Sequence, residues 1–72
     1  MKINSMIKFD YSTMPKEYHK EYEKLFPKKE IYIFLGEIPQ MPGHCIICNF
    51  KTGKMYCGYH TESFIELTED EV

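Results

Sequence analysis

The chain has no arginine, no tryptophan and no alanine among its 72 residues. The missing arginine bears first on partners. Phosphate and base contacts favour the bidentate guanidinium, and nucleic-acid binders gather their cations in a patch. Here all nine cations are lysines, spread along the chain between glutamates, and the net charge is −2. Composition therefore argues against nucleic acid. Long apolar runs are also lacking. No segment approaches the ~20 apolar residues of a spanning helix, so no membrane partner is expected. The opening MKINSMIKFDYS has neither the apolar stretch nor the small-residue cleavage site of a secretory signal. Three cysteines is an odd count, which suits a secreted disulfide framework poorly. A cytoplasmic protein with reduced thiols is the expectation. No repeat or low-complexity stretch is visible.

What is present is aromatic: six tyrosines and five phenylalanines. A chain of this length makes one domain, residues 1–72. Such a domain buries only about 60% of its unfolded surface and needs a metal, a partner or dense packing. Large aromatic side chains supply the last of these.

Residues 3–9 alternate, with Ile3, Ile7 and Phe9 on one face and Asn4 and Lys8 on the other. The pattern predicts an edge strand. Ser12 and Thr13 ahead of Met14-Pro15 signal a helix start. Met14, Tyr18, Tyr22 and Leu25 or Phe26 then follow at helical spacing until Pro27, which predicts a helix over 14–26. Its lysine row (Lys16, Lys20, Lys24) and glutamate row (Glu17, Glu21) read as a solvated face with i, i+3 compensation. His19 falls at the boundary of the apolar stripe.

Residues 30–35, EIYIFL, read as a strand buried on both faces. GEIPQMPGH predicts an irregular loop exposing Met41. CIICNF and KMYCGY read as a hairpin about Lys51-Thr52-Gly53-Lys54, TESF as one helical turn, and IEL as a short closing strand. The barrel strands thus lie within 30–67. Thr68 and Glu71 match a capping box, but only a frayed acidic tail over 68–72 is expected there.

The run GHCIICNFKTGKMYCGYH raises the possibility of a metal. Cys45-x2-Cys48-x8-Cys57-x2-His60 has the spacing of a four-ligand zinc set. Strand alternation tests it. With Thr52-Gly53 as a two-residue turn, Ile46, Cys48, Phe50, Met55, Cys57 and Tyr59 share one face. Cys45, Ile47, Asn49, Tyr56, Gly58 and His60 share the other. The first face is wholly apolar and is expected to cover the core, with Cys48 and Cys57 as core neighbours. The candidate ligand pairs fall on opposite faces, and Ile46-Ile47 is poor turn chemistry for a zinc knuckle. No metal or other cofactor is therefore expected. A zinc-binding mini-domain acting as an adaptor stands as the alternative. A thiol enzyme using Cys45 with His60 ranks below it. That pair opposes in this register, but nothing resembles an oxyanion hole or a third orienting group.

The order strand, Pro/Gly loop, tight hairpin, single helical turn TESF and closing strand IEL resembles a Src-homology-three-like small β-barrel, the architecture of KOW and Tudor modules. LGEIPQMPGHC with GYHTESFIEL also resembles short bacterial proteins of unassigned function. The resemblance implies a mainly β fold with one helix (α+β): a small five-stranded barrel with the helix inserted after the first strand. It brings no catalytic residues. The chain departs from the nucleic-acid-binding members in lacking arginine, and from the proline-peptide binders in lacking tryptophan. The functional expectation is a non-enzymatic interaction or regulatory module for a protein partner. Its expected contact set is Gln40, Met41, His44, Tyr56 and His60. Tyr56 has the alternative of packing under the helix, and Met41 that of covering the barrel end.

Overall fold

The computed structural model describes residues 1–12, 14–68 and 70. It is a five-stranded antiparallel sheet carrying one helix, in the order β1 (Met6–Phe9), α1 (His19–Leu25), β2 (Tyr32–Ile38), β3 (Met41–Asn49), β4 (Met55–His60) and β5 (Phe64–Glu66). Single 3₁₀ turns at Lys16–Tyr18 and Thr61–Ser63 precede α1 and β5. The strands lie in the order β4-β3-β2-β1-β5. Among the described residues, no pairing joins β4 to β5, so the sheet does not close into a barrel.

β1 is shorter than the alternation over 3–9 implies, and it is not an edge. Met6 and Ile7 pair with Ile33 and Tyr32 of β2, while Ile7, Lys8 and Phe9 pair with Glu66, Ile65 and Phe64 of β5. The polar face read as a sign of an edge is the outward face of an interior strand. The helix also starts later than expected. Thr13, half of the expected start signal, lies outside the described residues. Pro15 is still extended (φ −57°, ψ 139°), so the chain turns first through the 3₁₀ segment. At the other end Phe26 precedes Pro27. A residue before proline is sterically driven out of the helical region, and Phe26 sits at φ −128°, ψ 76°. That exit swings its ring off the helix and into the sheet.

Phe26 is the centre of the core. It is fully buried and stacks on Phe9 at 4.9 Å between ring centroids, with Tyr59 at 5.0 Å, Tyr56 at 5.2 Å, Phe64 at 5.4 Å and Tyr32 at 5.5 Å. One ring therefore bridges the two unpaired edge strands, which both lean on it. Ile7, Phe34, Cys45 and Ile47 complete the buried set. Tyr11 donates its hydroxyl to the Phe26 carbonyl at 2.6 Å and holds the helix exit against the sheet. A seven-residue helix is too short to stand alone, so this packing is what keeps it.

The expected loop at GEIPQMPGH is instead a hairpin. Ile38 pairs with Met41 across a two-residue turn at Pro39 and Gln40. Proline is tolerated in β3 because Pro42 falls in a register shift, where Gly43 (φ 81°) donates its N–H to Glu37 Oε2 at 3.0 Å. The next hairpin also turns elsewhere than expected. The Asn49 carboxamide oxygen accepts from the N–H groups of Lys51 and Thr52 at 2.8 and 2.9 Å, and the Asn49 N–H donates to Lys54 at 2.8 Å. Asn49 and Lys54 thus close a four-residue loop, and the register becomes Cys48↔Met55, Ile47↔Tyr56 and Ile46↔Cys57. Gly58 (φ 89°) then bulges, and pairing resumes at Cys45↔Tyr59 and His44↔His60. A single turn and a short strand follow as expected, but one residue early: the turn is Thr61–Ser63, and Phe64 opens the strand Phe64–Glu66, which leaves Leu67 out. Glu71 of the capping pair lies outside the described residues, as do Glu69 and Val72.

Candidate functional site

The alternation over β3 and β4 stands as far as the Gly58 bulge, but the core lies on the other side of it. Cys45, Ile47 and Asn49 are buried, and Tyr56 and Tyr59 pack against the same core. The face expected to cover the core is turned outward. Phe50 is 58% exposed and Met55 62%, Cys57 is exposed, and Ile46 and Cys48 are half-buried. Tyr59 leaves that face because the Gly58 bulge flips it inward and sends His60 out. The inversion has a physical reason. The side of the hairpin bearing two tyrosines is the one that reaches Phe26, and the one polar group it buries, Asn49, is satisfied by the loop.

The outward face extends across the sheet. Cross-strand pairs point to one side, so Met6, Ile33, Cys48 and Met55 form a row spanning four strands. Ile46 and Cys57 flank it on one side. Beyond its other side, Ile31 and Phe50 line a shallow groove with Lys29, Glu30 and Lys51. Lys8, paired with Ile65, is the charged side chain that β1 places on this face. β2, expected to be buried on both faces, sends Tyr32 and Phe34 into the core, while Ile31, Ile33 and Leu35 remain half-buried on the outer side.

The expected contact set divides. Gln40 and Met41 (43% exposed) sit at the tip of the β2–β3 hairpin. His44 and His60 meet across the strands with ring centroids 4.3 Å apart, at one corner of the outward face. His44 Nδ1 lies 3.2 Å from the Pro42 carbonyl. Tyr56 does not join them. Its ring is in the inner wall, 5.2 Å from Phe26, with Lys54 Nζ 5.3 Å above the ring centroid. His19 is the boundary residue expected, with Nε2 3.0 Å from the Met14 carbonyl and its ring edge-on to Tyr11.

The zinc set is separated as well. Cys45 is buried inside, whereas Cys48, Cys57 and His60 are on the outer side, so Cys48 and Cys57 are not core neighbours. Among the described residues, no three metal-ligating side chains gather. Cys45 and His60 likewise face opposite ways. Burial pushes the Cys45 thiol up, with the Thr61 hydroxyl opposing, which is the reverse of what a nucleophilic cysteine needs.

A second concavity of about 570 Å³ opens between the 3₁₀ turns. Phe9, Met14, Pro15, Tyr18 and Tyr22 line it, and Asp10 and Glu62 stand at its margin. The Ser12 hydroxyl and N–H, both donating to Asp10 Oδ1 at 2.6 and 2.9 Å, hold that carboxyl below the usual range. No helix among the described residues is long and apolar enough to cross a membrane. Comparison with protein-family models, curated proteins and solved structures gives no match.

Proposed function

We propose that the chain is a non-catalytic interaction module that docks on a protein partner through the outward face of its sheet. One observation carries this reading: the row Met6, Ile33, Cys48 and Met55 is apolar across four strands on the outer side of the sheet, with Met55 exposed and the other three half-buried. Scattered apolar residues are ordinary on a surface, but a contiguous sheet face of them marks an interaction site. The hairpin tip with Met41 and the His44–His60 corner border the same face, which retains most of the expected contact set as its margin. The strand order, with a 3₁₀ turn between β4 and β5, supports the Src-homology-three-like arrangement, with Phe26 filling the gap where a barrel would close. Three cysteines, one buried and two outward, suit a reducing cytoplasm.

Thiol footprinting tests the proposal without knowledge of the partner. Cys48 and Cys57 sit on the face and Cys45 beneath the sheet. Slower alkylation of Cys48 and Cys57 in cells of the native host than in dilute purified protein is the expected result. Equal rates in both settings would refute docking on this face.

A further inference from the structure

We infer that His44 and His60 together chelate one divalent late transition-metal ion, zinc being the member of that class without redox chemistry of its own. The site stands independently of the docking reading. The two residues are directly opposite in the β3–β4 register, and their rings lie 4.3 Å apart between centroids at an interplanar angle of 40°. Strict alternation would put His60 on the face of Cys45. The bulge at Gly58 turns it to the face of His44 instead, so the pair exists only in the folded hairpin. Two nitrogens held at about 2.0–2.1 Å by one tetrahedral ion are about 3.3 Å from each other. Rings with centroids 4.3 Å apart bracket that spacing, and the broad χ2 torsion of imidazole lets them aim without movement of the strands.

A second observation fixes which nitrogen is free. His44 Nδ1 lies 3.2 Å from the Pro42 carbonyl. A carbonyl only accepts, so Nδ1 carries the hydrogen, and the neutral ring keeps its lone pair on Nε2. Metal-ligating histidines are held in this way, with the second nitrogen donating to a backbone carbonyl. The site also has room for the rest of a coordination shell. His60 is exposed and lines a concavity of about 440 Å³ with Gly43, Thr61 and Glu62. That space leaves positions for water, and Glu62 brings a carboxylate to its wall. Structural zinc sites use four protein ligands, so two define an exchangeable site that binds metal without holding the fold together. The zinc-like spacing pairs His60 with cysteines. The fold pairs it with His44.

Zinc titration of the full chain, followed by calorimetry and by the imidazole proton resonances, tests this before and after alkylation of the outward thiols. One zinc per chain is expected in both preparations. The His44 and His60 resonances should shift together while those of His19 stay in place. His44→Phe and His60→Phe each keep a ring and remove its nitrogens. Loss of an outer-shell partner already costs about 10–100-fold in metal affinity, so each variant should weaken binding by at least that much. Neither ring belongs to the buried core, and thermal melts check that both variants stay folded. Binding that alkylation abolishes, or that neither variant weakens, would overturn the assignment. So would zinc that moves His19 as far as the pair, or no shift in the wild-type chain up to about 1 mM zinc.

Discussion

Tyr32 is the sharpest test of how the core is built. Its ring is fully buried, edge-on to Phe26 at 5.5 Å, to Tyr56 at 5.8 Å and to Phe64 at 6.3 Å. Its hydroxyl is buried too, and has no hydrogen-bond partner among the described residues. Tyr32→Phe keeps the ring contacts and removes the orphan group. An unsatisfied buried hydroxyl costs about 1–3 kcal/mol, so the variant should be more stable by about 1 kcal/mol or more. For a domain of this size that raises Tm by at least about 4–8 °C. The difference should also grow in alkali. Burial, then Tyr56, Glu30 and Tyr11, push the Tyr32 hydroxyl far above its ordinary value. The unfolded chain releases this proton near pH 10 while the folded chain keeps it. The native state then binds more protons, and wild-type stability falls by about 1.4 kcal/mol per pH unit above that point. Phenylalanine has no such term. Thermal melts of both proteins at pH 7, 9, 10 and 11 measure the two effects. A lower Tm for Tyr32→Phe at pH 7 would mean that the hydroxyl is bonded, and the reasoning would fail.

Other perturbations separate the remaining elements. Phe26→Ala should cost about 3–5 kcal/mol, as much as a core of this size supplies, and leave no cooperative urea transition; a midpoint close to wild type would contradict the bridging role. Asn49→Ala strands the Lys51 and Thr52 N–H groups and should cost about 1–2 kcal/mol, with faster amide exchange at Thr52 as the local readout. Unchanged exchange there would sink the loop assignment. Gly58→Ala meets no atom within 4 Å, so its expected loss of about 1–2 kcal/mol is purely the cost of positive φ, and an unperturbed urea midpoint would argue against the bulge. Alkylation of the dilute monomer at pH 8 should modify Cys57 first and Cys45 last, the latter only on unfolding. Rapid reaction at Cys45 would revive a thiol chemistry with His60.

Much of this architecture is legible in local pattern. Pro27 ends the helix, a single turn at Thr61–Ser63 precedes the short strand Phe64–Glu66, and the hairpin faces are sorted by alternation up to the Gly58 bulge. Turn chemistry was less legible. The GEIPQMPGH stretch looks irregular because two prolines interrupt it, yet Pro39 sits in a two-residue turn and Pro42 in a bulge that asks for no N–H. Thr52-Gly53 looks like a hairpin turn, but the Asn49 side chain captures two backbone donors and fixes a longer loop. β1 reads as an edge because lysine and asparagine mark one face, and nothing local says that IEL will return to pair with its free side.

The sequence by itself determined the element order and, as far as the Gly58 bulge, which hairpin residues travel together. Both follow from interactions within a few residues and from a two-residue repeat. That repeat separates two faces but does not say which is inside. Only the tertiary structure decided it, when Pro27 turned Phe26 out of the helix and against Tyr56 and Tyr59. Once those tyrosines faced the core, Ile46, Cys48, Met55 and Cys57 had to face out, and the most uniformly apolar face of the hairpin became its surface.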